Sequence, residues 1–279
     1  MGTPHRWQVS SGRALGRTFA VVFCAGLLAF GTTGRGMVLA DTGAPEFAYS
    51  GDNGPGFWHE TAGWEACAGT SRMQRQSPID INDIVFDRHL APLQLLLHET
   101  PLALTNNGHT IEQEYEPGSS LIVHGVVYGL SQFHFHSLSE HTVAGQHAAM
   151  ELHAVFADPT SDNKAVVGQL FVIGKTNRFI ADLLSHGLPT KSGDDVNVHS
   201  QLINVADALT STSRYYTYAG SLTTPPCTET VTWFVLHEYA HLSNAQFDAF
   251  RHILGNDFRP VQMRNRRTIR STVRDEDEQ

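Results

Sequence analysis

Val126-Val127-Tyr128-Gly129-Leu130-Ser131-Gln132-Phe133-His134-Phe135-His136 decides the reading of this chain. β-Branched and aromatic residues dominate it, which predicts a strand. Side chains two apart on a strand share a face, so His134 and His136 point one way while Phe133 and Phe135 point the other, into packing. A third histidine, His153, stands in a second apolar segment, Met150 to Phe156, which also reads as a strand. If the two strands pair, three imidazoles converge and one corner of a tetrahedron stays vacant, the arrangement that holds catalytic zinc. With 16 histidines in the chain, a chance i, i+2 pair on a solvated face is the competing reading of this stretch taken alone.

The chain has 279 residues, with 19 Lys and Arg against 28 Asp and Glu, a formal net charge of −9. That acidity argues against nucleic acid and anionic membrane surfaces as partners. Residues 1–40 read as a cleavable signal peptide. Arg6, Arg13 and Arg17 give a basic start, and Phe19 to Phe30 is an apolar run containing Gly26. Such a run is shorter than the roughly 20 residues that span a bilayer, and it fits the core of an export signal. Val38-Leu39-Ala40 supplies cleavage positions and sets the mature start at Asp41. A periplasmic or secreted location is therefore expected, with no membrane attachment after cleavage. Cys24 lies inside the leader, which leaves Cys67 and Cys227. Two cysteines in an exported chain most often bridge, with two free buried thiols as the alternative.

Residues 41–66 form an arm rich in Gly and aromatics, expected to be held by Tyr49, Phe57, Trp58 and Trp64. Short apolar runs separated by turns follow at 93–97, 102–106, 110–115, 120–123, 126–136, 150–156, 166–174 and 231–236. Asn106-Asn107-Gly108 and Val123-His124-Gly125-Val126 look like hairpin turns, so an antiparallel-rich sheet is expected. The nearly continuous apolar runs 126–136 and 166–173 belong at its centre. Helical pattern is sparse. Ser243 caps a helix over 244–254 closed by Gly255, and 179–184 and 201–209 read as short helices. The charged segment 264–278 is expected to fray.

Further motifs follow one another along nearly all of 41–279. They are Arg75-Gln76-Ser77-Pro78-Ile79-Asp80-Ile81, Asn106-Asn107-Gly108-His109, Gln132 to His136, Ser139-Glu140-His141-Thr142, Glu151-Leu152-His153, Tyr218 to Glu229, and Phe258-Arg259-Pro260-Val261-Gln262. In this set and order the chain resembles the alpha class of carbonic anhydrases, in its bacterial, periplasmic branch. The resemblance implies one catalytic domain at 41–279, mostly β with short helices, around a central ten-stranded, mainly antiparallel twisted sheet. It implies one zinc ion per chain and reversible hydration of carbon dioxide to bicarbonate and a proton, by zinc-hydroxide attack and histidine-assisted proton transfer.

On the same resemblance His134, His136 and His153 are the zinc ligands. Gln132 and Glu151 each precede a ligand by two residues on one strand face, where they can accept a ring N–H and fix its tautomer. Thr223 accepts from the zinc-bound hydroxide and donates to Glu140, and Thr224 lines the bicarbonate site. Val155, Val166, Leu222, Val231 and Trp233 form the apolar wall against the substrate. His109 passes the proton to buffer, since histidine titrates near neutral pH, and Tyr49 and Asn107 order the intervening water. The implied partner is the small substrate, and a homodimer is a family expectation.

Only Ser137-Leu138-Ser139 separates His136 from Glu140, as in the bacterial branch, which implies an open cavity mouth. The Cys67–Cys227 pairing also matches that branch. Glu112 is acidic where many members carry a neutral polar residue. Competing readings are a catalytically silent binding relative, a zinc esterase and a periplasmic metal buffer. The intact histidine set with Thr223 and Glu140 weighs against the first, and the dispersal of the other histidines against the last.

Overall fold

Alternation along residues 132–136, after a register shift beside Ser131, sets the centre of the fold. In the computed structural model, which describes residues 46–274, Leu130, Phe133 and Phe135 are buried while Gln132 and His134 stay partly open on the opposite face. The strands run in chain order β1 (Asp80–Ile81), β2 (Val85–Phe86), β3 (Gln94–Leu96), β4 (Thr100–Asn106), β5 (Ile111–Glu114), β6 (Ser120–Val123), β7 (Val126–His136) and β8 (Thr142–Val143). They continue with β9 (Gln146–His147), β10 (Met150–Ala157), β11 (Lys164–Ile173), β12 (Asp195–Ile203), β13 (Tyr215–Gly220), β14 (Val231–Leu236), β15 (Ala240–Leu242) and β16 (Arg270–Ser271). The α-helices among the described residues are α1 (Arg178–Ser185) and α2 (Asn244–Leu254).

Thirteen strands make one twisted mixed sheet whose continuous path counts ten, in the order β12-β4-β5-β7-β10-β11-β14-β13-β16-β2. Most pairings are antiparallel, and β11 with β14, β11 with β15 and β16 with β2 are parallel. The expected ten-stranded, mainly antiparallel core is therefore present, with β3, β6 and β15 attached beside it and β1, β8 and β9 in a small second sheet. Tight turns fix the register. His124 and Gly125 both take positive φ, 49° and 82°, between Val123 and its partner Val126, as a two-residue hairpin turn requires.

The sheet is apolar on both faces. Phe133, Phe135, Leu152 and Ala154 join Phe250 of α2 and Phe179, Ile180 and Leu183 of α1 in the larger core. Val166, Val231, Trp233 and Tyr218 join Ile79 and Ile81 in the other. Helix α2 starts at a reciprocal cap, Gln246 N donating to Ser243 Oγ and Ser243 N to Gln246 Oε1, which satisfies two otherwise orphaned donors.

Four expectations are corrected. Residues 201–209 are not a helix: Gln201–Ile203 completes β12, and Val205–Ala208 is a single 3-10 turn capped by Asn204. The helical spacing of Leu202, Val205 and Leu209 misled, because Leu202 is an exposed position of an edge strand with a bulge between Val198 and Leu202. Strands β12 and β13 were not anticipated. Phe57 does not anchor the arm, being 47% exposed; Phe47 packs edge-on against Tyr49, Trp58 and Trp64 instead. The charged tail is held as far as residue 274. Ile269 and Val273 are buried, Arg270–Ser271 pairs with β13 and β2, and Arg267 lies over the Tyr218 ring at 5.4 Å. The leader at 1–40 and residues 275–279 lie outside the described residues.

Cys67 and Cys227 are bridged, with Cα atoms 5.2 Å apart across 160 residues of sequence. The bridge lies beside Trp58 in a small third core. Fully buried Arg259 ties the same region together by donating to Cys67 O, Ser77 O and Gln76 Oε1 and lying 5.7 Å from the Trp58 ring. A crosslink closing so long a loop restricts the unfolded chain. Reduction should lower the unfolding free energy by about 2–5 kcal/mol in urea titrations. Superimposable curves with and without reductant would show that the bridge adds nothing.

Candidate metal centre

Register brings the histidines together. His153 on β10 lies opposite His134 on β7, and Glu151 lies opposite His136. The ring centroids are 5.0 Å apart for His134 and His136, 5.1 Å for His134 and His153, and 4.7 Å for His136 and His153. One ligand atom from each ring lies within 4.8 Å of the others. The expected convergence of three imidazoles is present.

Two of the rings have one nitrogen hydrogen-bonded away from the cluster, and the third has one beside a carboxylate. His134 Nδ1 is 2.8 Å from Gln132 Oε1, and His136 Nδ1 is 2.7 Å from the backbone oxygen of Asp257. His153 Nε2 is 2.9 Å from Glu151 Oε1, close but poorly aligned for a hydrogen bond. This leaves Nε2 of His134, Nε2 of His136 and Nδ1 of His153 to face one another. His136 Nε2 is buried and has no hydrogen-bond partner. An orphaned buried nitrogen is costly, and a divalent ion would satisfy it. Three imidazole nitrogens with outer partners fixing their tautomers fit zinc.

Electrostatics agree for two of the three rings. Burial, then His136 and His153, pulls His134 well below its ordinary value, and burial lowers His153 against the opposing pull of Glu151. Neutral imidazole is the form that binds metal. For His136 burial acts the same way, but the carboxylates of Glu140 and Asp257 outweigh it and hold the ring above its ordinary value.

Behind the cluster sits Glu151, fully buried. Its Oε2 accepts from the backbone N–H of Glu140 at 2.8 Å and of His141 at 2.9 Å, and its Oε1 lies 2.7 Å from His141 Nδ1. Burial alone would raise this carboxyl; the nearby His141 and His153 outweigh it and hold it well below the carboxylate range. His141 Nε2 in turn lies 2.6 Å from the Tyr218 hydroxyl, which donates to Ser77 Oγ at 3.0 Å. On β11, Gly168 faces this carboxylate, and a Cβ there would come within 2.9 Å of Glu151 Oε1.

Glu140 is fully buried; its Oε1 accepts from Arg259 N at 2.8 Å. Its Oε2, 3.6 Å from His136 Nε2, has no hydrogen-bond partner, the buried Thr223 hydroxyl included. Val166, Val231 and Trp233 pack as one cluster with Val155 and Leu222 half-buried against it. Trp233 brings that cluster to the metal site, 4.8 Å from the His153 ring. Thr224 is half-buried in the same loop, its carbonyl accepting from Cys227 N at 2.9 Å.

His109 follows the turn between β4 and β5. Asn107 Oδ1 shapes that turn by accepting from the N–H of His109 and Thr110. Burial holds His109 below its ordinary value, and its ring stacks on Phe47 at 3.7 Å and 10°. The Tyr49 phenol is pushed far up by burial and then by Glu140 and Asp257, so it stays protonated. Sequence reasoning gave no role to Asp257, Tyr218, Gly168 or Phe47. Asp257 acts on His136 through its backbone oxygen as well as its carboxylate, and no side-chain pattern reveals the backbone contact. The aromatic character of Phe47 in the arm was the one signal available.

Residues 53–273 match the sequence pattern of eukaryotic-type carbonic anhydrase. A carbonic anhydrase of Neisseria gonorrhoeae is 36% identical over 227 residues, covering 80% of this chain and 86% of its own length. A hyperthermostable carbonic anhydrase from an active hydrothermal vent chimney has 39% identity and a TM-score of 0.75, over 82% of this chain and 100% of that one. The alpha-carbonic anhydrase of Thermovibrio ammonificans, solved with the inhibitor sulfanilamide, has 36% identity and a TM-score of 0.76, over 82% and 100% of the two chains. By its sequence pattern and its bacterial relatives, this chain belongs to the alpha, or eukaryotic-type, carbonic anhydrase family.

Proposed function

We propose that the protein catalyses reversible hydration of carbon dioxide to bicarbonate and a proton, with one zinc ion held by His134, His136 and His153. The observation that carries the reading is the three-imidazole cluster, with the outward nitrogens of His134 and His136 hydrogen-bonded and that of His153 set 2.9 Å from Glu151. Zinc, when bound, supplies the Lewis acidity that lets a water molecule lose a proton near neutral pH and attack the substrate carbon.

The chain's own residues orient the reactants. Arg259 N–H occupies Glu140 Oε1, so Oε2 is the acceptor left for the Thr223 hydroxyl. A Thr223 hydroxyl turned to that unpartnered oxygen would leave Oγ1 to accept from the nucleophile and direct its lone pair at carbon dioxide. The apolar surfaces of Val155, Val166, Leu222, Val231 and Trp233 suit an uncharged substrate, and Thr224, next to Thr223, binds the anionic product in this reading. His109 takes the released proton to buffer. Tyr49, protonated throughout, and the Asn107 amide group order the water between.

Export to the periplasm or the exterior goes with this reading. Disulfides such as Cys67–Cys227 persist in oxidising compartments. No helix among the described residues is long and apolar enough to cross a membrane.

Two experiments test the reading. His136→Ala should lose stoichiometric zinc and carbon dioxide hydration together, because two imidazoles leave the ion under-coordinated. Full zinc occupancy in that variant by elemental analysis would remove the ligand assignment. His109→Ala should lower kcat in weak buffer and spare kcat/KM, since kcat/KM reports attack on carbon dioxide and kcat includes later proton release. Added imidazole should restore much of the loss. Full kcat in weak buffer would assign proton transfer to another group.

A further inference from the structure

His134 differs from the other two proposed ligands in what fixes its tautomer. The partner of His136 Nδ1 is a backbone carbonyl, and the partner of His153 Nε2 is the Glu151 carboxylate. Both groups can only accept, so each dictates an N–H on the nitrogen it faces. His134 Nδ1 faces the side-chain amide of Gln132. An amide carries an acceptor at one end and donors at the other, and a half-turn about its last torsion exchanges them with almost no change of shape. Facing His134 with its NH2 group, the same Gln132 would demand a lone pair on Nδ1. The proton would then sit on Nε2, the nitrogen that must be free for metal.

Glu112 removes the ambiguity. It stands on β5 directly opposite His134 on β7 and is half-buried there. Its Oε2 accepts from Gln132 Nε2 at 3.0 Å, while Gln132 Oε1 lies 2.8 Å from His134 Nδ1. A carboxylate offers no donor, so only one orientation of the Gln132 amide satisfies both neighbours. We infer that Glu112 is a positioning residue that fixes the orientation of the Gln132 amide, and through it the Nδ1–H tautomer of His134 that presents Nε2 to zinc. The inference deepens the zinc reading above and rests on it for its functional meaning. It also gives a physical role to the acidic residue at this position.

The test uses the full mature chain at pH 8, with zinc affinity measured by competition with a chelator. Gln132→Ala should weaken zinc binding by about 10- to 100-fold, the usual effect of removing a partner of a ligating histidine. Glu112→Ala should weaken it by a smaller factor, roughly 3- to 10-fold, and should add nothing in the Gln132→Ala background, because the effect passes through that amide. Nitrogen-15 spectra of the imidazoles in zinc-free protein give a second readout. The parent chain should show His134 as the Nδ1–H form alone. Glu112→Ala should show a mixture of tautomers, as should the isosteric Glu112→Gln, whose amide accommodates either orientation and which secures the test if the alanine variant misfolds. Unchanged affinity and an unchanged tautomer in these variants would overturn the inference. So would a Glu112→Ala loss that persists in full without Gln132, which would mark a direct charge effect. A parent chain that binds no zinc would remove the zinc reading instead, and the zinc-free tautomer measurement would still decide the role of Glu112.

Discussion

A single buried carboxylate, that of Glu151, is the constraint on which the site depends. Taking a charge out of water costs several kcal/mol unless its oxygens are fully engaged. Here the oxygens gather the backbone N–H groups of Glu140 and His141, the His141 ring and the edge of His153. Those partners belong to different parts of the fold, strand β10 and the loop leaving β7. Satisfying the charge therefore fixes the loop that carries Glu140 relative to the strand that carries a proposed ligand. Gly168 on the adjacent strand leaves room for it. The chain of contacts continues through His141 and Tyr218 to Ser77, so the wall beneath the histidines is polar, closed and anchored at its far end.

A second anchor comes from the segment after α2. Asp257 accepts at its backbone oxygen from His136, and its Oδ1 accepts from Ser137 N at 2.6 Å. Two residues on, Arg259 N–H holds Glu140, while the Arg259 guanidinium holds the loops that carry Cys67, Gln76 and Ser77. One short stretch thus orients a ligand, restrains the loop beyond it and links the site to the disulfide-bonded arm. Rigid support of this kind keeps three imidazoles in place against their mutual repulsion.

How much of this the sequence discloses follows the physics of each feature. The alternation of Phe133 and Phe135 against His134 and His136 has period two, so the strand and its buried face could be read locally, while its pairing with β10 stood as a condition that the register meets. Helix α2 carried its cap and stop in Ser243 and Gly255. Strand β12 was missed although Asp195 to His199 alternates, because the irregularity after Val198 breaks the period and the apolar spacing over 202–209 imitates a helix. The tail resembled a fraying segment because its charged residues hide two core side chains, Ile269 and Val273. At the site, residues acting through side chains at fixed spacing were legible, among them the three histidines, Gln132 and Glu151. Contributions from backbone atoms or empty space, as at Asp257 and Gly168, leave no side-chain pattern to read.

X-ray absorption at the zinc edge of the isolated full-length protein tests the central claim most directly. The account predicts one zinc per chain in a shell of three imidazole nitrogens and one solvent oxygen, unchanged in Cys67→Ser/Cys227→Ser, and loss of the bound zinc in His134→Ala. A shell containing sulfur or protein carboxylate, or one that is indifferent to His134, would contradict it.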